Sequence, residues 1–520
     1  MLKKSVLMAL VITGSVAGLS TPAYAQTLTA PVAGTAISQD YKSALQALDL
    51  NSVREALLNI WSHGLNPNAY WSADLEQAAS AGALSQSSDV ILGIYLKALK
   101  DVANGSVDPQ GLATDIKIKR KDFFTPEQIR SLVVANGGNA SLILEQVAPQ
   151  SSAYVSLREA LRRLYPLFLK GGWERISPVN KELSLGVRHP VIVKLKERLR
   201  IHGYTISNLD DTFDQEMLQA INDVQTNLRM KPDGKISPGG RTWGFFWVYN
   251  GERLRQIQAD MEKLRWLPQR LEDRHIFVNT AFSHFVLTDK TQGQNKVMSF
   301  KTINGTAQRK TPTMRDKVTY LVLNPTWTVP PTVFINDKVE LIKNLDNEGI
   351  RKYFSDNNFE VYTSDFSKTI DPTTINWKGI NPANVDFYIR QRPNYMNALG
   401  VVKFMMTNPY AIYLHDTNQR DLFSEAQRLR SSGCVRLEKP LDLAEYLLAG
   451  TDWSRPQIEN FVVKPGQVML QETRVNLKNP IYVYLMPVTS QLNSDGVIRF
   501  VEDAYGHNQL ILNQIRGIGR

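Results

Sequence analysis

The chain is poor in cysteine: of its 520 residues only Cys434 carries a thiol. An intramolecular disulfide is therefore excluded. Exported chains generally use cysteines in pairs, so a lone one is either a small buried hydrophobe or a reactive group, and its neighbours must decide which. Beyond residue 19 no segment is apolar enough to make the roughly 20-residue helix that spans a bilayer. That excludes a polytopic membrane protein. No dense Lys/Arg tract interleaves with aromatics, so the footprint of nucleic-acid binding is missing. Histidine is scarce at seven residues. His63, in the turn Ser62-His63-Gly64-Leu65-Asn66-Pro67, has no second His or Cys nearby to complete a metal site and reads as a turn residue.

What remains is ordinary folding material, 43% hydrophobic and 21% charged, in a chain too long for one core, so two to four domains are expected. Lys3 and Lys4, an apolar run over residues 6–19 and Ala23-Tyr24-Ala25 have the pattern that signal peptidase cleaves. A signal peptide over residues 1–25 is expected, with export to the periplasm, no spanning segment in the mature chain, and Gln26 as its first residue. The formal charge of +10 becomes +8 once the two leader lysines are gone. It suits an anionic partner, either wall polymer or lipid headgroup.

The hydrophobic periodicity divides the rest into a multidomain α+β chain. Residues 26–182 read as a helical scaffold, with Ala47, Leu50, Val53, Leu57 and Ile60 as one helical stripe. Residues 183–250 form a compact module of about three helices. Val191, Leu195 and Leu199 line one of them, and Phe213, Met217, Ala220, Ile221 and Val224 another, with the turn Lys231-Pro232-Asp233-Gly234 between elements. A linking helix covers residues 251–270. Residues 271–510 are mostly β, with short runs over 276–279, 285–287, 297–300, 320–323, 401–404, 411–414, 481–485 and 497–500. A helical insertion interrupts them over about 331–398.

Chemistry concentrates in two stretches. Ala411-Ile412-Tyr413-Leu414-His415-Asp416 reads as a strand ending on a histidine, and Ser431-Ser432-Gly433-Cys434-Val435-Arg436 follows with 18 residues between His415 and Cys434. An imidazole within reach of a thiol favours the thiolate and can later protonate a leaving amine, which is the minimum for acyl transfer. Gly433, with Ser432 before it, leaves the backbone N–H groups near Cys434 free to face a developing oxyanion. His507 is the second histidine to consider. Asp416 points to the opposite face of the strand from His415, so a backbone carbonyl is the expected orienter of the ring. Tyr413 shares the His415 face and is a substrate-contact candidate. Arg436 is a candidate carboxylate anchor or a salt-bridge partner, and Trp327 a cleft wall or a core residue.

These residues resemble the L,D-transpeptidase catalytic domain, in particular the large multidomain Gram-negative type. The likeness rests on Tyr413 to Thr417, Ser431 to Arg436, Lys310-Thr311-Pro312, and the run Asn324-Pro325-Thr326-Trp327-Thr328-Val329-Pro330-Pro331. Ser432 stands where the wider family commonly has histidine. Upstream, His189-Pro190-Val191, Arg198-Leu199, Gly203-Tyr204, Gln225 and Asp233-Gly234 resemble a peptidoglycan-binding module, although Val224 replaces an aromatic. The resemblance implies that Cys434 attacks the amide before the D-Ala of a tetrapeptide stem and that a second stem's amine resolves the thioester into a 3-3 cross-link. An L,D-carboxypeptidase, or a hydrolase detaching wall-bound lipoprotein, would use the same nucleophile. It also implies no metal and no cofactor, carbapenem sensitivity, and an insertion that caps the site with Tyr388 and Tyr395. The implied partners are peptidoglycan stem peptides and penicillin-binding proteins as suppliers of tetrapeptide.

Overall fold

Helices Gln39–Leu45, Leu50–Leu58, Ser88–Asn104, Pro126–Ala135, Ala140–Val147 and Ser152–Leu169 build the first unit of a computed structural model that describes residues 37–293, 295–381, 385–469 and 471–518. The leader expected over residues 1–25 lies outside the described residues. The stripe expected from Ala47 begins later. Asp49 caps a new helix by accepting from the Asn51 and Ser52 amides, so exposed Ala47 falls in the turn before it, and Val53, Leu57 and Ile60 are the buried members.

In the second unit, helices Val191–Ile201, Gln215–Asn227 and Thr242–Trp247 enclose Leu195, Leu199, Phe213, Met217, Ile221 and Phe246. Gln225 is buried, and its amide is spent inside the fold. It donates to Asp233 Oδ1 at 2.7 Å and accepts from the Asp233 and Gly234 amides at 2.9 and 3.0 Å. The unit docks on the C-terminal part of the chain, where Ile498 N–H meets the His202 carbonyl at 2.7 Å.

The helix Asn250–Arg265 has all but three of its 16 residues buried, although its sequence is strongly polar. Burying charge is costly unless each charge is paired and hydrogen-bonded. Here Asp260 pairs with Lys263 at 2.7 Å and accepts from Thr489 and Ser490. Glu262 pairs with Arg265 at 2.8 Å and accepts from the Val107 amide at 2.7 Å. The element expected as a linker is thus the shared spine of the helical unit and of residues 487–490.

The β-rich part comprises β1 (Arg274–Asn279), β2 (His284–Asp289), β3 (Lys296–Gly305) and β4 (Met314–Leu323). An inserted group follows: β5 (Trp327–Thr328), β6 (Phe359–Thr363), β7 (Thr369–Ile370) and β8 (Phe387–Gln391). Then come β9 (Val402–Met406), β10 (Leu414–His415), β11 (Leu429–Ser431), β12 (Val435–Leu437) and β13 (Thr473–Met486), with β14 (Ser490–Leu492) and β15 (Ile498–Phe500) as a terminal hairpin. Nine strands run in the order β11-β3-β12-β10-β9-β4-β13-β1-β2, and β2 pairs back onto β3, so the sheet curls around a closed core. Pro480 cannot donate to the ladder, and the β13–β4 register shifts between Asn476 and Ile481. The insertion holds more than the helices expected of it. Phe359, Val361, Phe387 and Ile389 alternate inward from a four-stranded sheet, β5-β8-β6-β7, against the helices Pro331–Asp337, Val339–Ile342 and Asn347–Asp356. Among the described residues no helix is long and apolar enough to cross a membrane.

Candidate active site

β10 and β12 run parallel, with Leu414 in register with Val435 and His415 with Arg436. One residue earlier Tyr413 stands beside Cys434, and the Val435 amide donates to the Tyr413 carbonyl at 3.2 Å. Side chains alternate along a strand. Leu414 and Val435 therefore enter the interior, and Tyr413, His415, Cys434 and Arg436 share the opposite face. A slip of one residue would send all four inward, so this pairing register creates the site.

His415 is 4% exposed. Its Nδ1 hydrogen bonds to the carbonyl of Asp416. A carbonyl only accepts, so the proton sits on Nδ1 and Nε2 keeps its lone pair. Nε2 makes no hydrogen bond among the described residues. Burial, reinforced by the Arg436 charge, pulls the ring's pKa down to about 3, which leaves it neutral at neutral pH. The Asp416 carboxylate turns away, accepting from the Val401 amide at 2.9 Å and from Arg420 at 2.6 Å.

Cys434 is partly exposed. Its thiol is directed at the Ala411 carbonyl, 3.5 Å from Sγ, rather than at His415. The side chain and backbone of Tyr413 both act to lower the pKa of the sulfur, and the Tyr413 ring stands edge-on to His415 with centroids 5.6 Å apart. Desolvation pushes the thiol up to about 11, against the opposing pull of Tyr413 and Arg436. The resting pair is a neutral thiol and a neutral imidazole.

The strand expected over residues 411–414 begins only at Leu414; residues 409–410 form a turn, and 411–413 lead from it into the ladder. Ala411 has a φ of +55°, a region in which a Cβ crowds the backbone. The Asn408 side chain enforces it, accepting from the Tyr410 and Ile412 amides at 3.1 and 3.2 Å and donating to the Ile412 carbonyl at 2.9 Å. Asp316 anchors Asn408 in turn, at 2.7 Å. The strained residue is the one whose carbonyl receives the thiol, and strain of this kind gathers at reactive sites.

Gly433 has a φ of +118°, which glycine adopts freely. Its carbonyl accepts from Thr311 Oγ1 at 2.8 Å, and its N–H donates to Ser431 Oγ at 3.2 Å. The Ser432 hydroxyl accepts from Arg309 at 2.9 Å. The Cys434 N–H has no partner among the described residues. Tyr505 completes the support, its hydroxyl accepting from the Thr311 amide at 3.2 Å and donating to the Gly305 carbonyl at 2.9 Å. Nothing in the local sequence around Cys434 pointed to Tyr505 or Arg309, because both reach the loop from distant segments. His507 is buried and bound to Asp115 of the helical unit at 2.7 Å.

Arg436 donates to Gln419 at 2.6 Å and pairs with no carboxylate among the described residues. Trp327 joins the insertion's core, its ring 6.3 Å from that of Phe359. Tyr388 stacks on Phe366 at 4.8 Å, and Tyr395 lies under the Arg420 guanidinium at 4.9 Å. No cluster of three or more His, Cys, Asp or Glu side chains arranged to hold a metal occurs among the described residues.

Comparison with known families agrees with this architecture. Residues 273–463 match the L,D-transpeptidase catalytic domain of the YkuD family, residues 41–161 a scaffold domain, and residues 188–243 a domain described as "Putative peptidoglycan binding domain". The chain carries a YkuD-type L,D-transpeptidase catalytic domain together with a peptidoglycan-binding domain. A curated relative from Haemophilus influenzae, named "Putative L,D-transpeptidase", is 31% identical over 258 residues, 49% of this chain and 48% of that protein. The chain thus spans about half the length of the relative it matches. A solved L,D-transpeptidase from Xylanimonas cellulosilytica aligns at 12% identity over 59% of this chain and 99% of that one, with a TM-score of 0.18. At that score it carries no structural argument.

Proposed function

We propose that the protein is an exported, wall-associated L,D-transpeptidase of the periplasm that forms 3-3 peptidoglycan cross-links through a thioester on Cys434. The observation that carries this reading is the single face shared by Tyr413, His415, Cys434 and Arg436 within the matched catalytic domain.

The reaction begins when the thiol turns from the Ala411 carbonyl to His415 Nε2, whose lone pair takes the proton as sulfur attacks the amide carbonyl before D-Ala. The Cys434 N–H, without another partner among the described residues, faces the oxyanion, with Gly433 and Ser432 shaping the loop around it. The C–N bond breaks, the imidazolium returns the proton to the departing amine, and D-Ala leaves a thioester. The side-chain amine of a second stem attacks that thioester, the C–S bond breaks, and the proton restores the thiol. Arg436 anchors a stem carboxylate with the donors that Gln419 leaves free, and Tyr413 holds the sulfur. Because sulfur and imidazole are both neutral at rest, the charged pair forms only with substrate in place, which protects the lone thiol from casual oxidation.

Intact-mass measurement after incubation with disaccharide-tetrapeptides tests this reading. An adduct on the chain but not on its Cys434→Ala variant, with free D-Ala and 3-3 dimers, is the expected result. An adduct yielding only tripeptide would transfer the reading to an L,D-carboxypeptidase. No adduct even with a carbapenem would remove Cys434 as the nucleophile.

A further inference from the structure

The outer face of β1 and β2 is not covered by its own domain. Three cross-strand pairs, His275–Thr288, Phe277–Val286 and Asn279–His284, point outward and are half-buried, while the intervening Ile276, Val278, Phe285 and Leu287 are fully buried in the core. The outward six floor a groove of about 350 Å³. The first turn of the helix Ser152–Leu169 forms one wall and residues 490–494 the other.

The groove is chemically distinctive. None of the 17 residues lining it is Asp, Glu, Lys or Arg, in a chain of which 21% is charged. Burial lowers the pKa of His275 and His284, which keeps both rings uncharged at neutral pH. The side chains of Ser152, Thr288, Gln491, Asn493 and Ser494 make no hydrogen bond among the described residues. Asn279 uses only its oxygen, on the Ala281 and Phe282 amides. An ionic ligand would find no counter-charge here, and a purely apolar one would leave these amides and hydroxyls unpaired. A pyranose ring has what the groove lacks, an apolar face for Phe277 and equatorial hydroxyls for the surrounding amides.

We infer that this groove binds a neutral oligosaccharide strand. It is separate from the 188–243 unit, and it does not depend on what Cys434 does. β3 alone separates β2 from β12, the strand that begins beside the thiol. A sugar chain seated in the groove lies on the same sheet surface as Cys434.

Calorimetric titration of the full chain with chitotetraose, a neutral β-1,4-linked N-acetylglucosamine tetramer, tests the inference. Saturable binding is expected, weakened about ten-fold or more by Phe277→Ala and by the groove-filling Thr288→Trp, and retained by Phe277→Trp, which keeps an aromatic face. Unchanged thermal midpoints and unchanged Cys434 alkylation show that the variants fold. No saturable binding to the wild type overturns the inference. So does binding that both weakening variants leave intact, since that assigns the sugar to another surface. Equal affinity for acidic polygalacturonate would overturn the neutral ligand class.

Discussion

Arg309 holds Asp337 through both terminal guanidinium nitrogens at 2.8 Å, and one of them also reaches the Ser432 hydroxyl at 2.9 Å. The insertion is thereby tied to the loop that carries Cys434. Both partners are about one-third exposed, so solvent screening limits the pair to about 1 kcal/mol. Asp337→Asn should raise KM about five-fold at nearly constant kcat and speed hydrogen exchange over residues 331–342. Unchanged exchange would mean that this pair does not hold the insertion.

Tyr413→Phe removes the hydroxyl that stabilises the sulfur. The thiol pKa, already raised to about 11, should climb further, and thiolate at a fixed pH should fall by up to about ten-fold. With one cysteine in the chain, the rate of iodoacetamide alkylation reports that site alone. In the wild type the rate should still be rising at pH 9; a plateau by pH 8 would contradict a raised thiol.

Three buried histidines, His63, His202 and His415, have their pKa values held down by burial, the latter two at about 3. The unfolded chain protonates each near 6.5. Their contribution to stability is complete above that pH and is lost as pH falls, by about 1.4 kcal/mol per pH unit for each histidine. Urea unfolding from pH 7 to pH 4 should show this loss, and His202→Asn should flatten the slope by one histidine's share. An identical slope in the variant would mean that His202 titrates normally.

Gly400→Ala tests how His415 is oriented. Gly400 has a φ of +60°, and a Cβ there would come within 2.1 Å of Asp416 Oδ2. Asp416 must shift, and its carbonyl carries the imidazole. The variant should lose about 2 kcal/mol of stability and lose acylation disproportionately. A stable variant with full acylation would show that the Asp416 peptide has slack.

Local patterns in the sequence carried the elements that obey a period. The stripes of the 183–250 unit are its buried residues except for Val191, which is half-buried while its neighbour Ile192 enters the core, and the runs around Ile276 and Phe285 are strands because alternation and β-branching act locally. The sharing of a strand face by Tyr413 and His415, and the turning away of Asp416, followed from the same alternation. The Ala411 turn was hidden because a side chain, Asn408, overrides a β-prone run. The sheet of the insertion was missed although Phe359-Glu360-Val361 and Phe387-Tyr388-Ile389 do alternate, because its strands are only two to five residues long and pair across intervening loops. Tyr505 and Arg309 could not be read at all. They act on the Cys434 loop through long-range contacts, and a single sequence carries no record of which distant residues meet.

The helical unit formed by early residues is sealed by late ones: Tyr484, Met486, Ile498, Phe500, Ile511 and Ile518 belong to the same hydrophobic cluster as Leu45 and Leu99. During synthesis that cluster stays open until nearly the whole chain has left the ribosome. The face of the early helices that these late residues cover is therefore bare on any nascent chain that stops short of them, as an arch is before its keystone.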